Sequence, residues 1–161
     1  MNSVEIRPIQ KEDNTEIAEV IREVLIEMGV PRVGTAYADP TLDEMYETYQ
    51  HPRMEYFVVS ERDRLIGGCG IAPLENGAPE ICELQKMYFL SEARGRGIGS
   101  QMMTICLEYA RQQHFEQCYL ETLPYMEAAR KLYQRSGFEY IDGPLGDTGH
   151  YNCTMWMIRK L

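Results

Sequence analysis

The sequence has little of what marks membrane, secreted or nucleic-acid-binding proteins. Its 16 lysines and arginines are outnumbered by 25 aspartates and glutamates, which gives a net charge of -9, whereas binding to nucleic acid needs a basic face. No stretch approaches the roughly 20 apolar residues of a membrane helix. The first residues, MNSVEIRPIQKED, also lack the apolar core of a signal peptide. We therefore expect a cytoplasmic protein with neither a nucleic-acid nor a membrane partner.

Cysteines are also few, and their spacing suits neither cross-links nor metal ions. There are five, an odd number, and no two stand at CxxC spacing, so the sequence predicts no disulfide framework and no metal site. A chain of 161 residues, 44% of them hydrophobic, can bury a core without such supports. We expect a single domain over residues 1–161.

The hydrophobic pattern alternates between the periods of strands and helices. Helices are predicted at NTEIAEVIREVLIEM, TLDEMYETYQ, SQMMTICLEYARQQH and MEAARKLYQRS. Strands are predicted at VEIRPI, MEYFVVSE, IGGCGIAP, ICELQKMYFL, QCYLET, FEYI and YNCTMWMIRKL, the second and third of them joined by RDRL as a hairpin. This mixture predicts an α/β or α+β sheet with helices on its faces.

The stretch ARGRGIGS, residues 93–100, lies between a predicted strand and a predicted helix. A helix begins there with unpaired backbone N–H groups and the positive end of its dipole, which together bind anions. Glycines let a phosphate approach the amides, and arginines add charge and donors. A diphosphate is the ligand that such a turn favours.

Two known phosphate-binding patterns fit the turn less well. The ATP-binding loop GxxxxGK[ST] fails because no Lys-Ser or Lys-Thr follows the glycines. The dinucleotide pattern GxGxxG nearly fits, and Glu121 ends the next strand where a ribose-binding acid would stand, but the third glycine comes one position early.

A third pattern fits better. Arg94-x-x-Gly97-x-Gly99 resembles the (Q/R)-x-x-G-x-(G/A) signature of the GNAT acetyltransferase superfamily, and ARKLYQRSGF resembles its A-x-x-LY-x-x-x-GF segment. The resemblance covers nearly the whole chain. It implies a central mixed, mostly antiparallel, splayed sheet with helices on both faces. It also implies an N-acetyltransferase that uses acetyl-CoA and no metal.

The resemblance implies where acetyl-CoA binds. The turn would hold the pyrophosphate through the residues Arg94, Gly95, Arg96, Gly97, Ile98, Gly99 and Ser100. The strand before the turn would pair its main chain with the pantetheine arm at Met87, Tyr88 and Phe89. One departure concerns Met126, which stands where the family often has an asparagine that holds this arm.

Two residues are predicted to move protons. Tyr133 matches the family's general acid, since a phenol with a pKa near 10 is protonated at neutral pH; the alternative is a tyrosine packed in the core. Glu83 matches the glutamate that deprotonates the amine, and the alternative is a carboxylate ion-paired with an arginine or with Lys86. In a regular strand Glu83 would share a face with Gln85, Met87 and Phe89.

The acceptor is predicted from the loops that vary within the family. Arg32 and Tyr37 in the loop after the first helix, and His150 near the end of the chain, are candidate substrate-binding residues. An arginine can hold a carboxylate. A histidine can also act as a base, so His150 is an alternative to Glu83 in that role. We expect a small-molecule amine that resembles an amino acid. A protein N-terminus or lysine, and a CoA-binding regulatory domain without catalysis, stay open, as does a homodimer formed through the last strand.

Overall fold

A computed structural model describes residues 3–149 and 151–161. Within them, seven strands form one sheet in the order β1-β2-β3-β4-β5-β7-β6. The strands are β1 Val4–Pro8, β2 Glu55–Glu61, β3 Arg64–Pro73, β4 Ile81–Phe89, β5 Gln117–Thr122, β6 Glu139–Ile141 and β7 Met155–Lys160. The helices are α1 Asn14–Glu27, α2 Met45–Thr48, α3 Ile98–Gln112 and α4 Glu127–Arg135.

The sheet is mixed and mostly antiparallel, as predicted. β4 and β5 pair in parallel, and the other neighbouring strands pair in antiparallel register. The predicted hairpin of β2 and β3 is also confirmed. Its turn is shorter than RDRL, because Arg62 and Asp63 both have positive φ, which suits a tight two-residue connection between twisted strands.

Helices cover both faces of the sheet. At Gly70 of β3 an added Cβ would meet Tyr49, the residue directly after α2, so α2 lies on that face. The opposite face carries α3 and α4, which approach each other closely at Gly99, where an added Cβ would lie 3.0 Å from Leu132. Buried apolar side chains from the sheet and from α1 and α3 form a common core. Among the described residues, every helix is too short or too polar to cross a bilayer.

Two predicted elements are shorter in the structure. The helix predicted at TLDEMYETYQ is a 3-10 segment, Pro40–Glu44, followed by the single turn of α2, because Glu44 leaves helical geometry with φ -129° and ψ 42°. The last strand begins at Met155 rather than Tyr151. Its predicted first residues are drawn to the loop after α1, where the amide of Asn152 donates to the carbonyl of Gly34.

Candidate active site

A split opens in the middle of the sheet between β4 and β5. The two strands pair at three positions, Ile81 to Glu83 with Gln117 to Tyr119, and then diverge, although β4 runs on to Phe89 and β5 to Thr122. The predicted splayed sheet is therefore confirmed. A small cavity of about 50 Å³ lies in the split, lined by Val30, Thr35, Ala36, Glu83, Leu84, Gln85, Lys86, Tyr88, Glu121, Thr122, Leu123, Met126 and Cys153.

A β-bulge interrupts β4 beside the split. Gly70 of β3 faces Gln85 and Gly68 faces Tyr88, so two residues of β4, Lys86 and Met87, occupy the space of one partner. Lys86 has a φ of +49°, an uncommon conformation for a residue with a side chain. Such a bulge redirects the side chains that follow it.

The bulge makes one prediction about β4 wrong. Met87 and Phe89 do not share the face of Glu83 and Gln85, because alternation restarts after Lys86. Phe89 lies instead toward Gly67 and Gly99, on the face that α3 covers. Tyr88 takes the place beside Glu83 in the wall of the split.

Glu83 is a buried carboxylate with a defined partner. Its residue is 5% exposed, and the Nε2 of Gln85 donates to its Oε1 at 2.7 Å. The hydroxyl of Tyr49 in turn donates to the Oε1 of Gln85 at 2.5 Å. Burial raises the pKa of Glu83 to about 7, against the opposing hydrogen bond from Gln85, and the charge of Glu121 adds to the rise.

This environment suits Glu83 to accept a proton near neutral pH. Among the described residues, Lys86 forms its ion pair with Asp39 and not with Glu83, and its Nζ lies 2.8 Å from the Oδ2 of Asp39.

Tyr133 lies on α4, with its ring packed edge-on against Phe138 at a centroid distance of 6.2 Å. The residue is 7% exposed. Burial raises the pKa of its hydroxyl well above 10, and the charges of Cys69, Tyr88 and Cys153 raise it further. The ring therefore packs in the core, which was the alternative to a catalytic role. The same burial keeps the phenol protonated, as a general acid must be.

The glycine turn before α3 has the backbone that its sequence predicts. Gly95 and Gly97 have φ of +72° and +77°, and an added Cβ at either would meet no described atom within 4 Å. Glycine is thus required there by backbone conformation, and the outer surface of the turn is open. α3 begins directly after Gly97, so the amides of its first turn lack carbonyl partners within the helix.

The arginines of the turn also support the protein itself. The Nη2 and Nε of Arg94 donate to the carbonyl of Phe89 at 2.9 Å and 3.2 Å, and its Nη1 bonds Glu27 of α1 at 2.5 Å. Arg96 forms an ion pair of 2.5 Å with Glu61 at the end of β2. Both side chains therefore fix the turn against the neighbouring elements.

A larger cleft of about 730 Å³ adjoins the split. Thr35, Glu83, Gln85 and Lys86 line both spaces. Arg32 is exposed and lies 5.3 Å above the ring centre of Tyr37. Neither of these two residues lines the split or the cleft in the described part of the chain. His150 lies outside the described residues.

Two further acids, Asp39 in the cleft and Glu121 in the split, were not predicted as site residues. Asp39 caps the segment Pro40–Glu44 through its bond to the amide of Thr41, a cap that the pair Asp39-Pro40 could have indicated. Burial would raise its pKa, but the charge and hydrogen bond of Lys86, with bonds from Thr41, lower it to about 2. Glu121 accepts a 2.5 Å bond from the hydroxyl of Tyr119 and another from Thr148.

Sheet order, split and glycine turn together define an acyltransferase type of fold, and comparison with known proteins identifies its family. Residues 18–138 match the sequence model described as "Acetyltransferase (GNAT) family". The chain therefore belongs to the GNAT family and is an N-acetyltransferase.

Relatives of known sequence agree with this assignment. The Escherichia coli (strain K12) protein "Uncharacterized N-acetyltransferase YjgM" is 45% identical over 157 residues, which cover 97% of this chain and 94% of that protein. The Bacillus subtilis (strain 168) protein "Uncharacterized N-acetyltransferase YsnE" is 28% identical, with 71% of this chain and 75% of that protein covered.

Solved structures share the fold. A GNAT acetyltransferase from Staphylococcus aureus Mu50 has a TM-score of 0.84 at 18% identity, covering 99% of both chains. PaiA N-acetyltransferase from Thermoplasma acidophilum, solved in complex with coenzyme A, has a TM-score of 0.76 at 18% identity, also covering 99% of both chains. A phosphinothricin acetyltransferase from Sinorhizobium meliloti, solved with AcCoA, has a TM-score of 0.77 at 22% identity, covering 98% of this chain and 88% of that one.

Proposed function

We propose that this chain, as one domain of residues 1–161, transfers the acetyl group of acetyl-CoA directly to the primary amine of a small, amino-acid-like molecule. The observation that carries the proposal is a buried carboxylate, Glu83, with a pKa raised to about 7, in the wall that the split and the cleft share. The complexes of two fold relatives with coenzyme A and AcCoA support the choice of donor.

The turn and the split fit the two ends of this donor. Positive φ at Gly95 and Gly97 and their open surroundings would let the pyrophosphate reach the first amides of α3, whose dipole favours an anion. Residues Arg94 to Ser100 would hold it there. The main chain of Met87, Tyr88 and Phe89 would pair with the pantetheine arm, since β4 has parted from β5 by then. When bound, acetyl-CoA supplies an acetyl group activated as a thioester.

Glu83 would serve as the base. A primary amine is mostly protonated at neutral pH and must lose a proton before it can attack a carbonyl carbon. A carboxylate with a pKa of about 7 accepts that proton more readily than an ordinary glutamate, directly or through one water. The hydrogen bonds from Tyr49 to Gln85 and from Gln85 to Glu83 hold the carboxylate in position.

Tyr133 would serve as the acid. Its raised pKa keeps the hydroxyl protonated at every pH at which the enzyme would work. It would therefore carry a proton to give to the departing thiolate, although a raised pKa makes this phenol a weaker acid than an unburied one.

The cleft has the size of a small-molecule site. Its volume of about 730 Å³ falls within the roughly 300–1,000 Å³ common for such sites. Arg32, Tyr37 and His150 stay predictions for the acceptor side, and the homodimer through the last strand stays a prediction as well.

Release of free thiol from acetyl-CoA, measured with a panel of amino acids, simple amines and lysine peptides, tests the proposal. We expect turnover with small amines and a loss of about a hundredfold in Tyr133→Phe, within the range for a positioned acid. Tyr140→Phe, at an exposed tyrosine of β6, is the matched control and should keep its activity. CoA binding without turnover on any amine would instead favour a regulatory domain, and turnover on peptides alone would favour a protein acceptor.

A further inference from the structure

The residues that line both the split and the cleft are where donor and acceptor would meet. They are Thr35, Glu83, Gln85 and Lys86, so this junction carries one carboxylate and one ammonium. The mechanism proposed above uses the carboxylate of Glu83 and leaves the ammonium of Lys86 without a role.

The ammonium of Lys86 is buried and held in place. Its side chain is 5% exposed, and its Nζ lies 2.8 Å from the Oδ2 of Asp39. The Oδ1 of Asp39 accepts from the amide and hydroxyl of Thr41 at 2.9 Å and 2.6 Å, so this carboxylate is itself fixed. An ammonium has three N–H donors, and Asp39 engages one of them from a fixed direction.

The bulge in β4 is what brings Lys86 to this junction. In a regular strand Lys86 would face away from Glu83 and Gln85, because successive side chains alternate between the two faces. With φ at +49° it lines the same spaces as both of them. A non-glycine residue in this conformation costs free energy, and bulges commonly redirect side chains near active sites.

Acidic side chains outnumber basic ones around the junction. The other charged residues that line the cleft and the split are the acids Asp39, Glu75, Glu83 and Glu121, and Lys86 is the one cation among the described lining residues. A molecule that carries an ammonium and a carboxylate would place its ammonium among these acids and its carboxylate on Lys86. A simple amine or a diamine carries no anionic group that could pair with Lys86.

Resting on the function proposed above, we infer that Lys86 binds the carboxylate of the acceptor and makes the enzyme selective for zwitterionic, amino-acid-type amines. Asp39 positions Lys86, and the bulge directs it toward Glu83. Lys86 is thus a specificity residue of the acceptor site, in the carboxylate-binding role that the sequence predicted for Arg32.

Paired acceptors test this inference. Each pair is an amino acid and the amine that lacks only its carboxylate, such as alanine with ethylamine and leucine with 3-methylbutylamine. We expect wild-type kcat/KM to be about tenfold or more higher for the amino acid of a pair, the worth of one charge-assisted hydrogen bond. Lys86→Met should lose that preference through KM for the amino acid, and Lys86→Arg should keep part of it.

The variants are chosen so that a loss of folding can be distinguished from a loss of acceptor binding. Methionine has the length of the lysine stem and is no worse suited to positive φ, but Lys86→Met leaves Asp39 unpaired. The double variant Asp39→Asn with Lys86→Met removes both charges and should lose the preference equally. Lys11→Met, at an exposed lysine, should behave as wild type. Thermal unfolding of each variant verifies its fold, and the ratio within a pair cancels any change in rate common to both acceptors.

The outcomes separate this inference from the proposed function. Equal or better turnover of the simple amines by wild type, a preference for diamines, or an equal loss on both acceptors in Lys86→Met would each overturn the role of Lys86 while leaving N-acetylation intact. No thiol release with any amine would overturn the proposed function and this inference with it.

Discussion

The two ends of the split are built in opposite ways. The turn of residues 94–100 is continuous in sequence, and what it offers a ligand is backbone, made accessible by positive φ at Gly95 and Gly97. The junction between split and cleft combines the loop residue Thr35 with Glu83, Gln85 and Lys86 of β4, and it offers side chains. A continuous backbone site can be recognised from a short motif, whereas a site assembled from distant side chains becomes visible only in the fold.

The largest expected effect comes from removing the proposed base, Glu83, at the junction. Glu83→Gln keeps the size of the side chain and removes its proton acceptor, so kcat/KM should fall by about a hundred- to ten-thousandfold. In wild type, kcat/KM should fall as the pH drops through about 7, because Glu83 becomes protonated there. Calorimetry with CoA should show unchanged binding, since the turn is untouched.

The pH profile decides whether Glu83 is that base. If Glu83→Gln keeps substantial activity together with the same acidic decline, another group accepts the proton. If CoA binding is lost as well, the two ends of the split are not independent.

A smaller effect concerns stability at the same residue. The pKa of Glu83 is raised from 4.5 to about 7 by burial, so the folded state holds the proton more tightly than the unfolded chain and its stability falls as pH rises through that window. Above it, the buried charge costs on the order of 3 kcal/mol. Glu83→Gln should therefore unfold at a higher temperature than wild type at about pH 8, and the difference should shrink at about pH 4.5.

Calorimetry or circular dichroism at both pH values measures this difference. Glu139→Gln, at an exposed glutamate of β6, is the matched control and should show no such dependence. A Glu83→Gln protein that gains nothing at high pH would mean that the carboxylate is well solvated.

The smallest effect tests the turn. Gly97→Ala places a Cβ on a residue with φ of +77°, which should cost about 1 kcal/mol of unfolding free energy and weaken CoA binding. Gly143→Ala is the control, because its φ lies outside the left-handed region and an added Cβ would meet no described atom within 4 Å. It should change stability by about 0.5 kcal/mol or less and leave CoA binding unchanged. Equal effects of the two substitutions would remove the special role of the turn.

Much of the framework was predictable because its signals are local. Two apolar runs joined by a short polar turn predicted β2 and β3, and the glycines after β4 marked the start of α3. The resemblance to the family correctly implied the split between β4 and β5.

The remaining features depend on tertiary contacts. Nothing in QKMY signals a bulge, because the extra residue is set by the pairing of β4 with Gly68 and Gly70 of β3. The late start of β7 likewise reflects the bond of Asn152 to a loop more than a hundred residues earlier. The sequence therefore predicts that Lys86 belongs to β4, but it does not predict the ion pair between Lys86 and Asp39.

Past Glu83, the edge of β4 that faces the split is main chain. Peptide groups are chemically alike whichever residues carry them, so binding to such an edge would depend little on the side chains at Met87 or Phe89. A substitution at Phe89 would instead disturb the packing against Gly67 and Gly99. Recognition of the donor would then follow the path of the chain, and recognition of the acceptor would follow a few individual side chains. A lineage built on this plan can acquire new acceptors by a handful of substitutions while its handling of the donor stays as it was.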